Sequence, residues 1–319
     1  MICRTLTTTV AVLALLGACA PESETPAPAA EEPTAASMPA RIIAERGGFV
    51  PEGVEYDRTN GRFLTGSLRE GTIYEIAYDG SLTAVVEDPE LVSSIGIEVD
   101  EDRDRLLVAN SDAAVFDGSS QGQAKLGVYN LNTGERIAMV DLGTTLGTVP
   151  SDATFFANDV TVSDGGTIYV TDTRMNVVYQ VDEEYEASLL YRFAPMEGLA
   201  LNGIVAHPDG YLLVIGSGNI YKVPLDDPAS TAQVNMAEPV DGADGLVWTG
   251  DGRLAVVSNS GAGVVALTST DGWVSAELVA VAHYEGQSTT GAAVGNDIYV
   301  VHPHFGDADP PMIERVTFE

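Results

Sequence analysis

The chain has 319 residues, 47 of them acidic and 15 basic, for a net charge of −32. This excess leaves no basic face to neutralise phosphates, which excludes nucleic-acid binding and peripheral attraction to anionic lipid. The acidity suits a solvated surface in a salty or divalent-rich medium, and it concentrates cations near any binding mouth.

Residues 1–18 read as a secretory signal, with Arg4 as the positive n-region and Val10 to Leu16 as an apolar core too short to span a bilayer. The run ends Leu16-Gly17-Ala18-Cys19, which resembles a bacterial lipoprotein signal. The resemblance implies cleavage before Cys19 and lipidation of its thiol; the alternative is ordinary cleavage near Ala18. The expected location is the bacterial cell envelope, with a lipid anchor at Cys19. Ala20 after the lipid cysteine favours the outer membrane. Cys3 leaves with the signal, so the mature chain carries one cysteine and cannot form an internal disulfide. Residues 19–40 are rich in Pro, Ala, Glu and Thr without apolar periodicity, and read as a disordered linker.

From residue 41 to 319 the pattern is short β-like runs with period two, such as Thr72 to Ile76, Ile168 to Thr171 and Tyr211 to Ile215. Asp-Gly pairs at 79–80, 209–210 and 251–252 mark hairpins. Self-comparison gives six units opening near Glu52, Ile95, Asn158, Asn202, Asp244 and Thr290. Most steps are in the forties, the spacing of one four-stranded propeller blade. The long step marks an insertion between Asn110 and Asp152. The expected fold is all-β, a six-bladed β-propeller with four-stranded antiparallel blades around a central channel. Ile313 to Phe318 reads as a strand completing the last blade.

The first strand of a blade lines the channel, so its opening residue lies near the axis at one face of the disc. Glu52, Asn158, Asn202 and Asp244 therefore converge. Two carboxylates and two amide carbonyls form an oxygen cage for one hard divalent cation, calcium preferred and zinc possible. Loops after the second strands return to the same face and form the rim of a pocket. They are 67–70, 110–117, 172–176, 217–219, 258–261 and 302–309. The insertion begins in one of them and is placed to cover that pocket.

Four motifs in order carry a family resemblance: Pro51-Glu52-Gly53-Val54, Asn158-Asp159-Val160, Asn202-Gly203-Ile204 and Asp244-Gly245-Leu246. With the Pro-Asp-Gly and Asp-Gly turns that follow them, they resemble the SMP-30/gluconolactonase/LRE-like family of six-bladed propellers. Val and Tyr replace the Pro and Trp of that family's first motif. The resemblance implies Glu52, Asn202 and Asp244 as direct ligands, and Asn158 as a ligand or substrate contact beside the metal. It also implies lactonase or related hydrolase activity, with Asp244 in an acid/base role.

His302 and His304 fall on the last rim loop. One is a candidate general base or substrate contact, against the plainer reading of exposed loop histidines. Asp172 and Arg174 fall on the rim of the third blade. Arg174 would hold a substrate carboxylate or phosphate, or else pair with Asp172 on the surface. His207, before a turn on the opposite face, reads as structural. There is no Walker motif and no Gly-x-Gly-x-x-Gly, which removes nucleotide and dinucleotide readings. The expected function is metal-dependent hydrolysis of a small lactone or similar ester. The alternative is a non-catalytic binding propeller with a structural calcium. A strictosidine-synthase-like propeller needs no such cage.

Overall fold

The computed structural model of the protein describes residues 38–196, 200–306 and 309–318. The expected signal, the lipidation site Cys19 and nearly all of the linker lie outside the described residues. Met38, counted above with the linker, is buried against the closing blade, so the packed chain starts slightly earlier than residue 41.

Six antiparallel sheets form a six-bladed propeller. Blade one comprises Val54–Asp57, Arg62–Thr65, Ile73–Ile76 and Leu82–Val86. Blade two is Ser93–Asp100, Arg105–Ser111, Lys125–Asn130 and Arg136–Asp141. Blade three is Phe155–Val162, Ile168–Asp172, Val177–Val181 and Ala187–Arg192. Blade four is Leu201–His207, Tyr211–Gly216, Asn219–Pro224 and Ala232–Gln233. Blade five is Ala243–Trp248, Leu254–Ser258, Gly263–Thr268 and Glu277–His283.

Blade six closes the ring from both ends of the chain. Gly291–Val294, Asp297–His302 and Met312–Val316 are completed by the N-terminal strand Arg41–Ile43, antiparallel to Met312–Val316. The C-terminal strand is where the sequence placed it; the outermost strand of that blade was not read. Arg41 donates to Glu314 at 2.7 Å across the closure.

Apolar faces of successive blades interdigitate, as Leu107, Leu126 and Val128 do with Ile168, Val170 and Tyr179. This burial is what period-two patterning on both faces of each sheet demands. Phe63 packs on Tyr299 at 5.0 Å between blades one and six, so the closure also has an apolar core.

The insertion does not roof the axial face. It forms a short 3-10 turn, Ala113–Phe116, and a two-residue strand, Gly122–Gln123, pairing in parallel with Phe155 and Phe156 of blade three. Phe116 rests edge-on against Phe156 at 4.7 Å. Its apolar residues find a partner on blade three, which draws the segment to that rim.

Candidate metal centre

The inner strands of blades two to five share one irregularity. Register slips by one residue between Ser94 and Ile97, Ala157 and Val160, Leu201 and Ile204, and Ala243 and Leu246. Each slip is a β-bulge holding an opener and the residue after it: Ile95-Gly96, Asn158-Asp159, Asn202-Gly203 and Asp244-Gly245. A bulge re-aims a side chain and ends regular pairing, which is how consecutive blades present side chains at the channel mouth. Gly at the second position has a packing cause. A Cβ on Gly53 would lie 2.4 Å from the Ile95 carbonyl oxygen, and one on Gly203 2.5 Å from that of Asp244. Thr290, expected as the sixth opener, stands one position later. It sits over Gly245, and Thr289 instead bonds the Glu52 carbonyl.

The orientation of the Asn158 amide follows from its partner. The Thr173 hydroxyl donates to the Leu201 carbonyl at 2.7 Å, so it can only accept from Asn158. Asn158 Nδ2 supplies that bond at 2.8 Å. The Asn158 carbonyl oxygen is thereby left free of this tie. Asn259 Nδ2 donates to Asp244 Oδ2 at 2.8 Å, and the nearby Asn202 amide also helps hold the Asp244 proton affinity down.

Burial and neighbouring charge raise the proton affinity of the site's carboxylates. Burial pushes Asp244 up to about 7, with Asp159 adding to the shift. Burial, then the charges of Asp244 and Asp159, hold Glu52 well above the ordinary carboxylate range. Among the described residues nothing donates a hydrogen bond to the Glu52 carboxylate. A buried, like-charged pair costs free energy unless a positive charge joins it. The donor types, two carboxylates and two side-chain amides, fit a hard divalent cation. Deeper in the channel Glu55 is pushed up to about 8 by burial, and Glu98 is raised by burial and by Glu55.

A cavity of about 660 Å³ is lined by Asn202, Ser217, Asp244 and Asn259, while Glu52 and Asn158 lie outside its lining. The strap Glu238–Gly242 walls it, held by Val240 N to Gly218 O at 3.0 Å and by Ser258 Oγ to Asp241 O. No residue of the blade-two insertion lines it. A larger cavity, about 740 Å³, runs along the outer strands of blade five and includes none of the four axial residues. Of the two, the smaller one borders Asn202 and Asp244.

The remaining expected site residues lie elsewhere. Asp172 is fully buried. Its Oδ1 accepts from the backbone amides of Phe156, Arg174 and Met175, and its Oδ2 from the Tyr179 hydroxyl. Both oxygens are thus spent tying the rim loop, and Asp172 is a loop anchor rather than a substrate contact or a surface ion pair. Removing a buried acceptor of this kind strands several amides, so Asp172→Ala is expected to cost about 3 kcal/mol in urea unfolding. Arg174 donates to the Val115 carbonyl at 3.3 Å and lies 4.9 Å over the Phe116 ring, so it fastens the insertion.

His302 is the last residue of its strand and fully buried, not on an open loop. Its Nδ1 meets the Gln287 carbonyl at 2.9 Å and its Nε2 lies 3.4 Å from Glu314. Burial lowers its pKa, and it does not line the cavity. His304 follows at φ 51° and is half-buried, also away from the cavity lining. His207 stacks on Tyr211 at 4.4 Å, an arrangement that packs the opposite end of blade four.

Two supporting residues were missed, although the sequence carries their signal. Thr173 stands fifteen positions after Asn158, and Asn259 fifteen after Asp244. Ser217 stands at the same remove from Asn202 and lines the cavity. A small polar residue at that spacing ends the second strand beside the opener of the first.

No protein-family model and no curated protein sequence matches the chain. Solved structures share its architecture. The major allergen Mala s 1 of Malassezia sympodialis aligns with TM-score 0.74 at 17% identity, over 88% of this chain and 96% of that one. A luciferin-regenerating enzyme aligns at 0.61 and 13% identity, over 87% and 94%. A candidate gluconolactonase aligns at 0.58 and 15% identity, over 88% and 95%. At these identities the likeness is one of fold.

Proposed function

We propose that this six-bladed propeller is a divalent-cation-dependent hydrolase of the gluconolactonase type, acting on a lactone or similar small ester. The observation that carries the reading is a pair of carboxylates, Glu52 and Asp244, raised by burial with no counter-charge among the described residues, beside Asn202 and beside Asn158, whose NH₂ is tied to Thr173. Glu52, Asn158, Asn202 and Asp244 would hold the cation, with calcium favoured by the all-oxygen donor set. When bound, the ion would supply Lewis-acid polarisation of a carbonyl.

The protein's own part is positional and basic. Asn259 and Asn202 fix the Asp244 carboxylate at the cavity floor, where it takes a proton from attacking water. Burial raises its basicity, offsetting what a cation removes. The strap and rim loops enclose the substrate. His302, buried off the cavity, has no part in this scheme. The sequence reading of a lipid anchor at Cys19 makes the protein an envelope lipoprotein of the outer membrane.

The test is turnover. Metal-loaded protein is expected to open simple lactones or aryl esters. Asp244→Asn, with its fold intact by circular dichroism, is expected to lose at least 100-fold in kcat. Cation binding without turnover of any lactone or ester would instead establish a binding propeller with a structural calcium.

A further inference from the structure

The residues that follow the six openers form a ring one step deeper in the channel: Gly53, Gly96, Asp159, Gly203, Gly245 and Thr290. Four are glycine, and only Asp159 is charged. At Gly53 and Gly203 the neighbouring inner strand's backbone fills the space that a Cβ would need. At Gly96 the filler is Asp159 itself, whose Oδ1 lies 2.3 Å from where that Cβ would be.

Asp159 reaches both ways. Its Oδ1 accepts from Val160 N at 2.9 Å, and its Oδ2 from Ile204 N at 3.1 Å on the inner strand of blade four. Its own backbone N–H donates to the Thr171 hydroxyl at 3.1 Å. That hydroxyl also donates to the Asn202 carbonyl at 2.8 Å. One side chain thus lies over blade two, is rooted in blade three and is bonded to blade four. Asn158 precedes it directly, and Asn202 lies two residues before Ile204. Fixing Asp159 therefore fixes the separation of those two amides.

We propose that Asp159 is a positioning residue for the axial site: it spaces Asn158 from Asn202, and its charge, one layer below the ligands, tightens the hold on a cation. The inference rests on the cation reading above. Asp159 does not line the cavity, so it acts through its neighbours and not on substrate.

The experiment uses the full-length protein and two variants. Asp159→Asn keeps shape and removes charge. Asp159→Gly installs the residue found at four of the six ring positions. Calcium chloride is titrated calorimetrically, and amide exchange at Ile204 is followed in the same samples. Asp159→Asn is expected to weaken calcium binding about tenfold and Asp159→Gly further, with faster Ile204 exchange in the glycine variant. Wild-type calcium binding with unchanged affinity in both variants overturns this inference and leaves the proposed function standing. Unchanged Ile204 exchange in Asp159→Gly overturns the tie between blades. Failure of the wild type to bind calcium or zinc overturns both readings. Should the glycine variant not fold, the isosteric Asp159→Asn affinity decides.

Discussion

Calcium raises the melting temperature of the wild-type protein and leaves that of a Glu52→Gln/Asp244→Asn double variant unchanged. The more diagnostic half of this expected result concerns the metal-free proteins at pH 8, where the double variant melts above the wild type. Substituting functional residues usually destabilises or does nothing. Here burial raises the proton affinity of both carboxylates, the charge of Asp244 raises that of Glu52 further, and no cationic side chain among the described residues lowers either. Two neutral amides of the same shape remove that repulsion and much of the desolvation cost. In the loaded wild type, ligand at one hundred times its Kd adds about 2.7 kcal/mol to stability. Differential scanning calorimetry with calcium and with chelator gives all four melting temperatures. A metal-free double variant that melts below the metal-free wild type would sink the idea that these carboxylates repel in the empty channel.

The second large effect is in pH. Glu55 is pushed up to about 8, Asp159 and Asp244 to about 7, and Glu52 and Glu98 upward, with burial the first cause in every case. In the unfolded chain such groups titrate near 4. Between those values the native state holds more protons than the unfolded one, so stability falls as pH rises. For metal-free protein this contribution is fully present below about pH 4 and is lost through the window up to about pH 8. The loss amounts to a few kcal/mol, or roughly 5 °C or more in Tm for a domain of this size. If the proposed cation site binds calcium in its ionised form, calcium is expected to reverse the slope, with its stabilisation largest at high pH. Melting curves from pH 5 to pH 8, with chelator and with calcium, read both slopes. A metal-free Tm that is flat or rising over that range contradicts buried, raised carboxylates in the channel.

Comparison of residues shows where the sequence was legible. The openers of blades three to five were readable because each stands before a Gly or Asp at blade spacing, and there the pair sits in a bulge of the inner strand; Glu52 precedes its strand and lies in no bulge. Asp172 was misread because a carboxylate at the end of a strand looks the same whether it faces ligand or three backbone amides. Only the packed loop shows which. His302 was misplaced for a related reason: the final strand runs through it, so a residue assigned to a loop is in the sheet, with its ring turned toward Glu314. The insertion was located but not its destination, because Phe116 chose its partner on blade three through tertiary contact.

What the sequence determined by itself is what repeats. Six units of alternating apolar residues dictate six sheets, and the spacing dictates their size. These are local patterns multiplied by symmetry. The tertiary structure alone decided the non-local terms: the pairing of Arg41–Ile43 with Met312–Val316 and the role of Asp159 across three blades. Each joins groups whose partnership depends on distance in space, and no period in the chain encodes that distance.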